Sequence, residues 1–462
     1  MSAASSSESS TPSATSLPAD GAGTLHGDLP VVAVIGGGQL ARMMQEEAAR
    51  LGIHLRALVE APDGSTAQVT VDAPVGAADD EAAVRALVAG TPVAEGDDAP
   101  RLQAVGPADA LTFEHEHQDH ELLLALAEEG VSVQPSAQAL LLARDKLVMR
   151  RAMTEAGLPQ PAWAEAAGSE AEMRGAITAF GEEHGWPLIL KTPRGGYDGH
   201  GVLLVRSAAE LDDGEAADWI ASTAAAAAGR ADGAGAGGGG SLGGAAVTSL
   251  LIEQAVPFTR ELAVLLARSP RGEIAVWPVV ETVQADGICS EVLAPAPGLD
   301  PEAAAEAERI GRTVAERFGV TGVLAVELFA VEAPGEPTRV YVNELAMRPH
   351  NSGHWTQDGA VTSQFAQHLR AVLDLPLGST APTAPATVMV NLLGGGHEPD
   401  AAALGRAMAL EPEARIHLYG KGWRTGRKLG HVNLTGASAE PADVEAVRER
   451  ARAVVAVLRG DA

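Results

Sequence analysis

One cysteine, Cys289, stands in 462 residues. An intramolecular disulfide therefore cannot form, neither a CxxC redox pair nor a cysteine-cluster zinc site can be built, and a reducing compartment is expected. Nothing around Cys289 marks it as a nucleophile, so it reads as a buried, inert thiol. Long apolar runs are also missing: none approaches the roughly 20 residues that cross a bilayer. Positive charge is scarce, 33 Lys and Arg against 61 Asp and Glu, for a formal net charge of −28. That balance argues against a broad nucleic-acid surface, while leaving room for anionic small molecules wherever a few cations converge. Residues 1–29, rich in Ser, Ala, Thr and Pro, lack the basic start and apolar centre of a signal peptide and read as a disordered tail.

The length suits two or three domains, each with its own core. Val31 to Ile35 is an apolar strand, broken by Gly36-Gly37-Gly38. Leu40, Met43, Met44, Ala48 and Leu51 then recur at helical spacing. Gly36, Gly38 and Ala41 fit the dinucleotide fingerprint G-x-G-x-x-[GA], and Glu60 lies where an NAD enzyme places its ribose acid. An NAD(P) oxidoreductase is therefore a competing reading of residues 31 to 60. Further strands of an open parallel sheet are expected at 111–114 and 131–135. A helix is expected at 145–156, then a strand, glycine loop and strand at 188–205. Residues 224–246, mostly Ala and Gly, read as a mobile insertion. Strands are expected at 250–256, 261–267, 274–283, 323–330 and 340–345. Helices are expected at 301–317, 360–373 and 441–458, the last preceded by three short strands after a Pro-rich link at 381–385.

Five clusters carry chemistry. In KTPRGGYDGHG (191–201) a lysine ends one strand and four glycines fall within seven residues. Backbone amides free of side chains can close on phosphate, with Lys191 adding charge, although a plain glycine hairpin is the bland alternative. Glu327 and Glu344 lie on two apolar strands joined by a turn near 333–338. Folding the pair about position 335 to 336 sets the carboxylates side by side, roughly 5 Å apart at Cβ. Two like charges there call for a cation, and hard oxygen donors suit Mg²⁺, with Asn343 adjacent. The run Arg348-Pro349-His350-Asn351-Ser352-Gly353-His354-Trp355 is too rich in hydrogen-bonding groups for a simple turn. Lys421, Arg424, Arg427 and Lys428 concentrate cations in an acidic chain, as a phosphate pocket or an exposed basic patch. Glu253 and Glu261 bracket a short apolar turn that suits an adenine slot and a ribose acceptor, or surface acids alone.

Together these motifs resemble the ATP-grasp superfamily and, within it, the 5-(carboxyamino)imidazole ribonucleotide synthases of purine biosynthesis. The resemblance runs from about 31 to 436 through GGGQLARMM, FEHE, KTPRGGYDGHG, EQAVPFTRELAV, VLAVELF, NELAMRPHNSGHWT and YGKGWRTGRKLGHVN. It implies a mixed α/β and α+β chain in three parts. These are an N-terminal Rossmann-like open parallel sheet (30–140), a two-lobed ATP-grasp domain (141–378, lid about 146–256) and a small C-terminal β-rich domain (385–462). The implied reaction is carboxylation of 5-aminoimidazole ribonucleotide by ATP and bicarbonate through carboxyphosphate. Other ATP-grasp ligases, a formate-dependent transformylase and a non-catalytic ATP-binding regulator are the rivals. By resemblance, ATP meets Lys146, Lys191, Gly196, Tyr197, Asp198, Gly199, His200, Gly201, Val202, Glu253, Gln254, Ala255, Val256, Glu261, Asn343 and Glu344. The ribonucleotide meets Gly37, Gly38, Gln39, Leu40, Glu114, Arg348, His350, Asn351, Ser352, Lys421, Arg427 and Lys428. Tyr197, Asp198, Arg348, His350 and Lys421 are the catalytic candidates, and Glu327 and Glu344 hold Mg²⁺ or Mn²⁺. A cytoplasmic homodimer with neither nucleic-acid nor membrane partners is implied. Lys146, Ala41, Met347 and Gln284 depart from the usual family residues.

Overall fold

The computed structural model describes residues 29–90, 105–195, 201–231, 247–285 and 287–461. The expected N-terminal tail lies almost wholly outside them. Three parallel strands, β1 (Val31–Ile35), β2 (His54–Leu58) and β3 (Ala110–Phe113), pair in the order β2-β1-β3. Every β1 side chain is buried, the continuous apolar run of a parallel strand covered on both faces. The helix Gln39–Leu51 buries Leu40, Met43, Met44 and Ala48 against this sheet. Leu51, expected on that face, is exposed at the helix end, where Gly52 takes a left-handed φ of 70°. The strand expected at 131–135 reduces to a single parallel bridge, Leu111 to Val133, because Pro135 cannot donate to a ladder.

The second sheet is antiparallel: β4 (Trp163–Ala167), β5 (Leu188–Lys191), β6 (Val202–Val205) and β7 (Ser249–Gln254), in the order β4-β7-β5-β6. Helices Glu170–His184 and Glu215–Ala231 cover it around Ile177, Phe180, Leu190, Ile220 and Ile252. The second helix absorbs residues 224–231, so the Ala-rich start of the expected insertion is helical, in keeping with alanine's propensity. Residues 232–246 lie outside the described residues. So do 196–200, although the pairing of Lys191 with Val202 fixes both ends of that loop.

The remaining strands share one large sheet: β8 (Arg260–Arg268), β9 (Ile274–Val276), β10 (Val280–Ala285), β11 (Ile288–Ala294), β12 (Gly322–Val331), β13 (Arg339–Ala346), β14 (Ala386–Leu393), β15 (Arg415–Leu418) and β16 (Lys428–Gly436). Their order is β13-β12-β8-β10-β11-β14-β16-β15, with β9 beside β8. Pro278 splits the run expected as one strand at 274–283 into β9 and β10. β11 was not anticipated, since Ser290 and Glu291 interrupt its apolar pattern. Its pairing with β14 joins the C-terminal strands to the central sheet. The helix expected at 360–373 is the shorter Gln364–Val372. From it, fully buried His368 accepts a hydrogen bond from Val323 N (3.0 Å) at Nδ1 and donates from Nε2 to Thr112 Oγ1 (2.8 Å), tying the large sheet to β3. Burial draws that imidazole down to about 3, so it stays neutral.

Candidate active site

β12 and β13 pair with Glu327 opposite Glu344, in the register their spacing predicts. Lys146 Nζ lies 3.4 Å from Glu344 Oε1, and Lys191 Nζ lies 4.0 Å from the same oxygen. Lys191 also donates to Asn343 Oδ1 (3.3 Å) and pairs with Glu253 Oε2 at 2.9 Å. Glu253 is buried, and Arg150, itself fully buried, donates to its other oxygen at 2.5 Å. Arg150 further donates to the carbonyls of Val342 (2.8 Å) and Asn343 (3.0 Å), so one guanidinium fastens β7 of the second sheet to β13 of the large one. Burial pushes Glu253 up, but Lys191 and Arg150 outweigh it and hold its carboxyl down at about 2. The Glu253 carboxylate thus orients Lys191, and the backbone of Glu253 and Gln254 is taken up in the sheet, with Gln254 N donating to Ala162 O at 2.9 Å. Glu261, on β8 opposite Phe329, behaves in the reverse sense. Burial and then the Glu327 charge raise it to about 7, with a Gln284 hydrogen bond opposing.

The segment after β13 is braced by one side chain. Gln364 accepts from His350 N (2.8 Å), donates to His350 O (2.8 Å) and donates to His354 Nδ1 (2.9 Å). Ser352 N and its hydroxyl both lie against His350 Nδ1, at 3.4 and 2.9 Å. The amide makes Nδ1 an acceptor, so the ring proton sits on Nε2, 3.2 Å from Glu327 Oε1. Burial would raise Glu327, yet the His350 hydrogen bond and the charges of His350, Arg348 and Lys428 hold it below the ordinary carboxylate range. Arg348 is itself paired with Glu116, 2.9 Å away. Ser352 is fully buried and supports His350 from behind, outside the cavity wall.

A cavity of about 910 Å³ opens beside this loop, and it joins clusters far apart in sequence. Gly37, Gly38, Gln39 and Leu40 form one wall, Arg348, His350 and Asn351 a second, and Lys421, Arg424, Arg427 and Lys428 a third. Glu114 reaches under the first wall, its carboxylate accepting from the amides of Gly38 and of Leu40 (2.9 Å). A Cβ on Gly36 would lie 2.6 Å from Glu114 Cβ, and one on Gly37 would lie 2.7 Å from Val59. The glycines are thus required by close packing, and the helix N-terminus that would hold a dinucleotide pyrophosphate already holds a carboxylate. This removes the oxidoreductase reading of residues 31 to 60. The third wall latches onto the first: Ser65 Oγ donates to Tyr419 O (2.6 Å), Gln68 Nε2 to Gly420 O (2.7 Å), and Lys421 Nζ to Gln39 Oε1. Burial, then Arg427 and Lys428, draw Lys421 below the usual amine range, with Glu114 opposing.

Tyr197 and Asp198, with Gly196, Gly199 and His200, lie outside the described residues; Gly201 precedes exposed Val202, where β6 begins. Cys289 is partly buried, and burial lifts its thiol to about 12, which keeps it unreactive. Sequence reasoning missed Arg150, Glu116 and Gln364, and named Arg424 within the cation cluster that lines the cavity. Only Glu116 carried a signal, as the last residue of FEHE.

Three family models cover the chain in turn. They are the ribonucleotide synthetase preATP-grasp domain over 29–144, the ATP-grasp domain over 151–365 and the phosphoribosylaminoimidazole carboxylase C-terminal domain over 387–445. An N5-carboxyaminoimidazole ribonucleotide synthase of Mycobacterium tuberculosis is 44% identical over 425 residues, spanning 91% of this chain and 86% of that protein. Its counterpart in Corynebacterium ammoniagenes is 44% identical over 426 residues, spanning 92% and 91%. Among solved structures, the Aspergillus clavatus enzyme in complex with ADP and 5-aminoimidazole ribonucleotide superimposes with a TM-score of 0.74 at 29% identity, covering 92% of this chain and 99% of that one. With three consecutive domain matches and relatives alike over nine-tenths of its length, the chain belongs to the N5-carboxyaminoimidazole ribonucleotide synthase family of the ATP-grasp fold.

Proposed function

We propose that this chain carboxylates the exocyclic amine of 5-aminoimidazole ribonucleotide with ATP and bicarbonate, as an ATP-dependent carbon–nitrogen ligase of purine biosynthesis. One observation carries the reading: His350 touches Glu327 of the acid pair and also lines the cation-walled cavity, so a phosphoryl-transfer site and an anion site share a wall. ATP lies on the acid-pair side, its phosphates against Lys146 and Lys191. A bicarbonate oxygen attacks the γ-phosphorus, the bond to ADP breaks, and carboxyphosphate forms; such transfer needs positioning and charge neutralisation more than covalent help. The ribonucleotide phosphate sits among Lys421, Arg427 and Lys428. Its amine nitrogen bonds to the carboxyl carbon, inorganic phosphate leaves, and the amine proton is released. Arg348 and His350 face both halves and stabilise the anionic intermediate.

Glu327 and Glu344 fit a hard divalent cation. Two carboxylates stand in register, and among the described residues no third carboxylate, imidazole or thiol completes a metal cluster, which leaves the other positions to phosphate oxygens. When bound, Mg²⁺ would neutralise charge on the phosphates. Among the described residues no helix is long and apolar enough to cross a membrane. A cytoplasmic homodimer accompanies the reading; the single unreactive thiol supports the compartment, and sedimentation tests the assembly. The decisive assay is ADP release: it should need ATP, bicarbonate and 5-aminoimidazole ribonucleotide together. Equal release without the ribonucleotide would refute the assignment.

A further inference from the structure

The wall at the end of β3 carries one titratable group to which the reaction assigns no work. His115 lines the cavity between two residues whose side chains are already committed. Glu114 on one side holds the amides of Gly38 and Leu40, and Glu116 on the other pairs with Arg348. The ring is partly exposed, and its Nδ1 lies 3.2 Å from Gln118 Nε2. Gln118 is buried at 2% exposure and held by Arg144, which donates to its carbonyl at 2.6 Å.

The direction of that contact is decidable. Gln118 Nε2 also lies 3.0 Å from the carbonyl oxygen of His115, an atom that can only accept. The amide is therefore oriented with its NH₂ toward both groups, and His115 Nδ1 must supply a lone pair. A neutral imidazole carries one proton, so it sits on Nε2 at the ring's tip, on the edge away from Gln118. Among the described residues Nε2 makes no hydrogen bond. Most other side chains that bring charge to the cavity are cations suited to phosphate or carboxyphosphate. His115 adds a neutral donor beside the glycine wall, and the substrate that fills this space offers acceptors in its ribose oxygens and its unprotonated ring nitrogen.

We propose that His115 is a ribonucleotide-binding residue whose Nε2–H donates a hydrogen bond to the substrate, and that it takes no proton from the reacting amine. The proposal rests on the cavity being the ribonucleotide site. A base would need a lone pair at Nε2, and the Gln118 contact places that lone pair at Nδ1. One neutral hydrogen bond is worth about 1 kcal/mol, which converts to a change of several-fold to about tenfold.

The test is steady-state kinetics of ADP release with each substrate varied in turn. His115→Ala should raise KM for 5-aminoimidazole ribonucleotide about tenfold and leave kcat and KM for ATP within about twofold. His115→Asn, which keeps an N–H donor, should recover most of the loss. Gln118→Leu, which frees the tautomer, should move KM for the ribonucleotide in the same direction by less. Unchanged ribonucleotide KM in His115→Ala overturns the proposal. So does a fall in kcat with loss of the acid limb of the pH profile, which would mark a base. If the parent enzyme itself shows no ribonucleotide-dependent turnover, the functional reading falls and takes this assignment with it.

Discussion

Glu253 shows how a residue's setting decides its duty. At 2% exposure it lies between Arg150 and Lys191, and removing its charge strands both cations. Glu253→Gln should cost about 3–5 kcal/mol of stability at pH 7, measured by urea denaturation, and should raise KM for ATP through a displaced Lys191. Its carboxyl is held down at about 2, so its contribution is fully present above the unfolded value of about 4.3 and is lost as pH falls through about 2. The gap between parent and variant should therefore narrow between pH 4 and pH 2. Glu344→Gln acts on function and leaves the fold intact, because this carboxylate is more than one-third exposed. It should lower kcat/KM at least about a hundredfold by weakening Mg²⁺ binding, with the Mg²⁺ concentration for half-maximal rate shifted upward. Near-parental rates at modest Mg²⁺ would remove Glu344 from the metal site.

At the scale of elements, one tight joint is the start of helix Gln39–Leu51. A Cβ on Gly38 would collide with the Glu114 carboxylate that caps this helix. Gly38→Ala should cost about 1–3 kcal/mol and raise KM for the ribonucleotide while sparing that for ATP, a split that separate substrate titrations resolve. This joint also marks what could be read in advance. The strand–glycine–helix pattern is local, and periodicity found it, but the reason for Gly38 lies 76 residues away in Glu114. The dinucleotide fingerprint was thus matched by letters and defeated by a tertiary contact. The Glu327–Glu344 pair was legible because a hairpin's register follows from arithmetic once its turn is placed. Arg150, by contrast, sits in a helix whose sequence gives no hint that its guanidinium reaches β7 and β13. β11 stayed hidden because Ser290 donates to Val283 O and Glu291 accepts from Arg448 and Arg452, partners that only the assembled chain supplies.

Across the whole molecule, three imidazoles are buried where segments meet: His368 between β3 and β12, and His354 stacked on His431 at a 5.0 Å centroid distance. All three are drawn below the ordinary histidine range, first by burial, and for His354 and His431 also by neighbouring imidazoles. The folded chain stays unprotonated at these sites while the unfolded chain binds protons below about 6.5. Stability therefore rises with pH in this window, and acidification below 6.5 should erode it by up to about 1.4 kcal/mol per pH unit for each histidine. Denaturation midpoints taken between pH 7.5 and 5 should show this slope, and His368→Gln should remove about one histidine's share. A final consequence belongs to the latch between Ser65 and Tyr419, which joins residues 354 positions apart. The chain leaves the ribosome from its N-terminus, so Lys146, Lys191, Glu327 and Glu344 emerge well before residues 419–428. A nascent or C-terminally clipped chain that lacks residues 419–428 has no third wall to close the cavity. Residues 419–428 thus act as a completion signal, because the cavity closes only once they have been made and latched onto the first wall.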